Sequence, residues 1–436
     1  MAESFENIAC TQCGCVCDDL RITVDNGRIV AAERACDMAS AWYLAQETRR
    51  PPAASIDGKP APVDAAFARA GEILARSSFP IIYGLSRSST EGQRAAVALA
   101  DCLGATIDTT ASLCHAPSIM AFQQAGESTS SLGEVRNRSD LVIFWGCDPL
   151  VSHPRHWERY SVDPSGEFIE GGAGDRTVIV VDDHSTASSA RADLFIQIES
   201  NRDFDALWTL RGLVRGIDMT AESSVGVPRD VLVDLAQRMK SCRSGVVFFG
   251  LGLSRRGLGH HNVEALLRLV TDLNRHTRFY ARRMRLYGDV TGADSVLCWQ
   301  TGYPFSVNLG RGYPRFNPGE FSIEGVLERQ EADACVIVGS ETLEQLSPAA
   351  LAHLRDIPSI VLDYPNVNSI VSPSVHFTTA IYGVHRPGTA YRMDEIPIPL
   401  RAFLPSEYPS DDEVLQGIQR QLERTAGVAT QRVSQA

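Results

Sequence analysis

Five of the 11 cysteines stand at positions 10, 13, 15, 17 and 36. Cys10-x2-Cys13-x3-Cys17 puts three thiols on one short loop, and Cys36 adds a fourth from a nearby turn. Thiolates are soft ligands suited to iron–sulfur clusters and to zinc. Zinc ribbons use two Cys-x-x-Cys pairs, and no second pair occurs here. Cys10, Cys13, Cys17 and Cys36 are therefore read as ligands of a [4Fe–4S] cluster. Zinc and a former site that no longer binds metal stay open as alternatives. Cys15 falls between ligands and is expected to point away.

A second candidate is Cys114-His115, on the Ser/Thr-rich stretch 107–119 between a short strand at 105–107 and a helix from about Pro117. A lone buried cysteine is more often inert core than ligand, so the pair carries little by itself. His153 and His156 are spaced i, i+3 across Pro154, which is poor for one helix face. They and His260-His261 are expected to be hydrogen-bonded structural histidines rather than metal ligands.

These residues need a scaffold. Leu20–Val24 and Arg28–Ala32 alternate around Asp25-Asn26-Gly27, the pattern of a hairpin with an Asn-Gly turn. Residues 51–62 read as a proline-rich connector. Short apolar runs follow at Pro80–Tyr83, Asp140–Trp145 and Thr177–Val181, with a helix predicted over 90–103. Near-continuous Val/Ile runs ending in Gly or Asp suit parallel strands buried on both faces. A weak repeat accompanies them: Ile81–Ser86 resembles Val247–Gly252, 134–146 resembles 325–339, and Val178–Asp182 resembles Ser359–Asp363. The expected class is α/β, with a hairpin cluster domain (1–50), two related doubly wound lobes (51–235 and 236–426) and a mobile tail (427–436).

Length and composition agree. The 436 residues are enough for several domains, with 44% hydrophobic and 22% charged residues. The net charge of −12 argues against binding nucleic acid or an anionic membrane. No long apolar run suggests a membrane span, and the first residues read neither as a secretory nor as a twin-arginine signal. An odd cysteine count without an export signal points to a reducing, cytoplasmic setting.

The cluster loop, both lobes and the Cys114 loop together resemble the molybdopterin oxidoreductases, and within them the B subunit of formylmethanofuran dehydrogenase. The segments that carry this are 10–19, 112–118, 132–138, 145–149, 153–156, 299–305 and 317–320. The resemblance implies a tungsten or molybdenum bis-pterin guanine dinucleotide with Cys114 as the metal's thiolate ligand. It implies His115 as the adjacent proton-handling residue and Arg285 as the guanidinium that holds a formate or CO2-derived carboxylate. Gly84, Gly146, Gly250, Gly252 and Gly339 follow strands and would let backbone approach the pterin pyrophosphates. Asp182 and Asp183 match the acidic position at the nucleotide end, with Asp363 as counterpart. The family pattern includes an amidohydrolase-like A subunit, C and D subunits, and a methanofuran-type carrier. A separate subunit supplies the pterin-binding barrel, so no fused C-terminal barrel is expected.

Several positions depart from that pattern. The family motif Met-Arg-Gly-His-Tyr-Asn reads Met-Arg-Leu-Tyr-Gly-Asp at 284–289. A lysine between cluster and pterin in related enzymes has no counterpart in 49–56, and Lys59 falls in an expected turn. In place of a Gly before the acidic residue that follows strand 195–198, this chain has Ser200-Asn201-Arg202-Asp203. Two functions are expected to compete. One is a dehydrogenase subunit interconverting CO2 or formate with a carrier-bound formyl group. The other is a non-redox structural subunit of a formyltransferase/hydrolase complex that releases formate from the carrier.

Overall fold

The computed structural model describes residues 2–434 apart from residues 47 and 219. The chain forms two compact units. Unit 1 contains residues 1–113, 287–392 and 397–436; unit 2 contains 114–286 and 393–396.

Each unit is built on a parallel sheet. In unit 1 the central order is Thr106–Thr109, Pro80–Gly84, Ala334–Val338, Ser359–Asp363, Val375–Thr378, all parallel. In unit 2 it is Arg278–Arg283, Ser244–Phe249, Leu141–Trp145, Thr177–Asp182, Leu194–Gln197, again all parallel. Most residues of these strands are buried, as the unbroken Val/Ile runs require. Apolar helix faces cover the sheets: Thr90–Leu103 in unit 1 and His260–Leu273 in unit 2 each bury seven or more residues.

The sequence repeat holds strand by strand. Strand 80–84 occupies the place in its sheet that 244–249 occupies in the other; 334–338 matches 141–145, and 359–363 matches 177–182. What differs is the chain path. A division at residue 235 assumes that neighbours in sequence share a sheet. Strands 80–84 and 334–338 instead pair directly, with residues 114–286 of unit 2 inserted between them. Local periodicity gives a strand's type but not its partner.

Three local features bear on the site. The predicted hairpin forms over Leu20–Asp25 and Arg28–Glu33, with Asn26 and Gly27 both at positive φ, as a tight two-residue hairpin turn demands. Glu3–Ile8 adds a third strand to it. The connector 51–62 is not irregular: Ala54–Ile56 and Lys59–Pro60 make a small hairpin whose first strand pairs with Val375–Thr378. The backbone of 427–434, expected as a mobile tail, continues the helix Asp411–Ser434; residues 435 and 436 lie outside the described residues. Among the described residues no helix is long and apolar enough to cross a membrane.

Candidate functional site

The cluster loop in unit 1 is closed by its own backbone: the Cys10 N–H donates to the Cys17 carbonyl (2.8 Å) and the Val16 N–H to the Cys13 carbonyl (3.2 Å). Val16 sits at φ +37, a conformation a β-branched residue adopts only when its surroundings force it. The cysteines at 10, 13, 15 and 17 are buried, and Cys36 is half-buried in the residue before helix Asp37–Ala45. Cys10 feels the charges of Cys13, Cys17 and Cys36; burial first, then these charges, push its thiol well up. The expected ligands Cys13, Cys17 and Cys36 thus lie near enough to Cys10 for their charges to act on it. Cys15 does not point away. Its buried thiol hydrogen-bonds to those of Cys13 and Cys17, because one residue on either side brings both sulfurs within its reach.

Surrounding groups brace the loop. Tyr43 Oη donates to the Ala9 carbonyl (3.3 Å), Arg87 Nη1 to the Thr11 carbonyl (3.1 Å) and the Gly288 N–H to the Gln12 carbonyl (3.4 Å). Gln12 Nε2 is buried with no hydrogen-bond partner. Among the described residues, the trio whose ligand atoms lie within 4.8 Å of one another is Asp182, Asp183 and His184; the thiols are spread wider. One zinc ion needs four sulfurs at about 2.3 Å from a single centre, hence close together. Thiols that do not close on a single centre, on a loop whose Gln12 Nε2 is a buried donor without a hydrogen-bond partner, suit a multi-iron cluster better than one zinc ion.

Unit 2 holds the second group. Cys114, half-buried, and His115 lie just before helix Ala116–Ala125, whose first turn contains Pro117. His115 is buried. Its Nε2 lies 3.1 Å from the Met284 carbonyl, which can only accept, so that nitrogen carries the proton and Nδ1 takes the Ser118 hydroxyl at 2.9 Å. Burial, then the charges of Arg285 and Arg283, push its pKa well down, so the ring is neutral. His153 repeats the arrangement one residue on: Nε2 donates to the Arg285 carbonyl (2.7 Å) and Nδ1 lies 2.9 Å from Ser152 Oγ. The two rings grip successive carbonyls just beyond strand Arg278–Arg283. They hold the backbone of Arg285, whose side chain is 2% exposed.

The neighbouring arginines have structural duties. Arg282 donates to Thr129, Glu395 and the Met393 carbonyl, and Arg283 pairs with Glu127 and Glu395. His156 departs from the hydrogen-bonded expectation. It is buried with neither ring nitrogen hydrogen-bonded, and stands edge-on to Phe248 at 4.5 Å between ring centroids. His260 is partly exposed and His261 exposed, and their rings lie tilted to each other with centroids 4.0 Å apart.

The five glycines fall where each sheet's connections reverse direction. Gly84 and Gly339 end the two central strands of unit 1, and Gly146 and Gly250 end those of unit 2. Such switch points are where doubly wound sheets bind ligands. Yet protein already fills the space a side chain would take. A Cβ on Gly84 would lie 2.2 Å from the Val338 carbonyl oxygen, and one on Gly146 2.6 Å from Leu253 N. A Cβ on Gly250 would meet Cys147 Cβ at 2.6 Å, on Gly252 the Gly146 oxygen at 2.5 Å, and on Gly339 Arg87 Cβ at 3.0 Å. Close packing against backbone at Gly84, Gly146 and Gly252, against Cys147 and backbone at Gly250, and a φ of +82 at Gly339 therefore already favour glycine there. In the unit 2 turn, Ser254 Oγ is buried with no hydrogen-bond partner, a donor that a phosphate or pterin heteroatom would satisfy.

Asp182 ends strand Thr177–Asp182 and Asp183 follows it. Arg256 Nη1 reaches both, at 3.3 and 2.7 Å, and His184 and Ser200 hydrogen-bond to Asp183. Burial works against ionising Asp183, but those hydrogen bonds hold it below the usual carboxylate range. Asp363 bonds the N–H and hydroxyl of Ser340 and is pushed up to about 7 by burial. Asp203, within the departure at 200–203, accepts from the Trp145 indole at 2.9 Å. Sequence reasoning missed Arg87, Arg256 and the serine partners of the histidines. Their only signal is position after a strand or beside a histidine, which ordinary turn residues share.

No family model matches the chain. The B subunit of a tungsten-containing formylmethanofuran dehydrogenase 2 from Methanocaldococcus jannaschii is 35% identical over 95% of this chain and 98% of its own length. Its counterpart in Methanococcus maripaludis is 34% identical over 95% and 98%. The B subunit of the formyltransferase/hydrolase complex of Methylorubrum extorquens is 26% identical over 66% of this chain and 75% of its own. Among solved structures, the M. extorquens formyltransferase/hydrolase complex with methylofuran matches at TM-score 0.72 and 23% identity, over 86% of this chain and 99% of that one. Acetylene hydratase from Pelobacter acetylenicus matches at TM-score 0.71 and 12% identity, over 96% and 69%. The fold is thus the mixed α/β type of those proteins, and from its likeness to the two methanococcal proteins over nearly its full length, this chain belongs to the family of formylmethanofuran dehydrogenase B subunits.

Proposed function

We propose that this chain is the redox subunit of a formylmethanofuran dehydrogenase-type complex, holding a [4Fe–4S] cluster at Cys10, Cys13, Cys17 and Cys36. It would also hold a tungsten or molybdenum bis-pterin guanine dinucleotide with Cys114 as the metal's thiolate ligand. The observation that carries this is the electrostatic coupling of Cys10 to Cys13 and Cys17 on its own closed loop and to Cys36 from beside helix Asp37–Ala45, with the loop's Gln12 Nε2 buried and unsatisfied. When bound, the metal–pterin group supplies the two-electron chemistry between CO2 and formate-level carbon. Cys114 sits ahead of a helix N-terminus, where the dipole favours a negative ligand. Arg285 binds the carboxylate of formate or its CO2-derived counterpart and orients it. His115, neutral with both nitrogens engaged, fixes the Arg285 backbone and moves a proton only by releasing Ser118 or the Met284 carbonyl. Gly84, Gly339, Gly146, Gly250 and Gly252 give two switch points, one for each dinucleotide. Asp182, Asp183 and Arg256 take the polar end in unit 2. The A, C and D subunits and a methanofuran-type carrier complete the complex.

The test is anaerobic purification of the complex with its native partners. Stoichiometric tungsten or molybdenum with a guanine pterin supports the reading. So does formate-dependent dye reduction that Cys114→Ser abolishes along with the metal, while iron stays. A second reading is a structural subunit of a formyltransferase/hydrolase complex. Two features favour it: the fully hydrogen-bonded His115, and the backbone that already fills the glycine cradles. It requires a complex that hydrolyses formyl carrier with neither metal present.

A further inference from the structure

Arg87 lies in the turn between strand Pro80–Gly84 and helix Thr90–Leu103, one of the loops at the unit 1 switch point. Its side chain is 12% exposed. The aliphatic stem lies over Gly339, where a Cβ would come within 3.2 Å of Cγ. Nη1 donates to the carbonyl of Thr11, between Cys10 and Cys13, and Nε pairs with Glu341. The guanidinium stands 5.9 Å from the centre of the Tyr287 ring. Its own carbonyl accepts from the Tyr364 hydroxyl, which fixes the turn. This is a buried cation, held at its backbone, stem and guanidinium, and bonded to the loop that carries three of the four proposed ligand cysteines.

The geometry points to Arg87 as the charge that sets the reduction potential of the cluster, a positioning residue that touches the loop and takes no part in electron exchange itself. The inference rests on the cluster reading above. A [4Fe–4S] core with four thiolates is anionic in both oxidation states and gains one further negative charge on reduction. Inside a protein that extra charge is poorly screened, so a fixed cation nearby stabilises the reduced form more than the oxidised one. Glu341 acts in the opposite direction through the same side chain: it offsets part of the guanidinium charge. The two residues should therefore shift the potential with opposite signs. A purely structural brace would not do this.

The experiment uses the full chain, loaded with iron under anaerobic conditions, and follows the cluster's EPR signal in a redox titration. In Arg87→Gln the reduced fraction at the wild-type midpoint falls at least tenfold relative to the oxidised, about 59 mV for a one-electron couple. Arg87→Lys restores most of the shift because the charge returns. In Glu341→Gln the midpoint moves the other way. An unchanged midpoint in an iron-replete Arg87→Gln chain overturns the inference. If Arg87→Gln takes up no iron, Glu341→Gln decides: a raised midpoint supports Arg87 as the charge, and an unmoved or lowered one overturns it. A wild-type chain that takes up no iron overturns the cluster reading itself, and the two failures are told apart by that iron assay.

Discussion

His153 is a buried base whose pKa burial pushes down to about 4 from an ordinary 6.5. Between those values the unfolded chain binds a proton that the folded chain refuses, so stability rises with pH across this window. The contribution is complete above 6.5 and is lost as pH falls toward 4. At about 1.4 kcal/mol per unit, acidification to pH 5 costs about 2 kcal/mol through this residue, and to pH 4 about 3 kcal/mol. His115 and His156 lie in the same unit and are pushed the same way by burial. Buried Asp182 and Asp203 are raised and partly offset the loss, so the decisive comparison is with His153→Gln, which keeps an N–H donor for the Arg285 carbonyl and does not titrate. Hydrogen exchange by mass spectrometry, read on peptides covering Leu141–Trp145 and Arg278–Arg283, should show wild-type protection falling from pH 7.5 to 5. The variant should start lower and fall by about 2 kcal/mol less. In unit 1 the sign reverses. Asp363 is pushed up to about 7, and Asp108 and Asp411 to about 6, by burial. Their folded forms bind protons first, so peptides over Ala334–Val338 and Ser359–Asp363 should keep or gain protection over the same interval. Parallel loss in wild type and variant would refute the assignment of the acid sensitivity to His153.

Three further substitutions test separate parts of the account. Gly252→Ala drives a methyl to 2.5 Å from the Gly146 oxygen, against backbone that cannot rotate away, and should cost about 1–3 kcal/mol. A urea midpoint equal to wild type would contradict it. Cys36→Ser removes the thiol proposed as the ligand from outside the loop and should lower iron per chain by at least half with the far-ultraviolet spectrum unchanged. Full iron retention would remove Cys36 from the ligand set. Arg285→Lys exchanges a bidentate guanidinium for a point charge, and should raise KM for formate about tenfold or more, with a smaller change in kcat, for the loss of a charged hydrogen bond of about 1.5–3 kcal/mol. An unchanged KM would assign carboxylate binding elsewhere.

Much of the local structure was legible in the residues. Helix Thr90–Leu103 begins at Ser89, which caps it, and ends at left-handed Gly104, both visible as start and stop signals. The Asn-Gly turn and the apolar strands could be read for the same reason: neighbours in sequence decide them. The interleaving of the sheets could not, since Ile81–Gly84 gives no sign of pairing with a strand some 250 residues on. The site divides the same way. Cysteine spacing announced a loop of buried thiols, but not the Cys15 thiol bonded between two of them. The strand-ending glycines were located by pattern, while their contacts with Val338, Leu253 and Gly146 belong to the folded chain alone. His153 could be marked as structural, but its grip on the Arg285 carbonyl spans 132 positions and leaves no local trace.

The central claim is that four cysteines hold a cluster. Iron analysis and low-temperature EPR of the full chain, purified and reduced without oxygen, test it most directly. The account predicts about four irons per chain and a signal of a reduced [4Fe–4S] cluster, with no gain of zinc. A folded chain with no iron, or with one tightly held zinc, would contradict it.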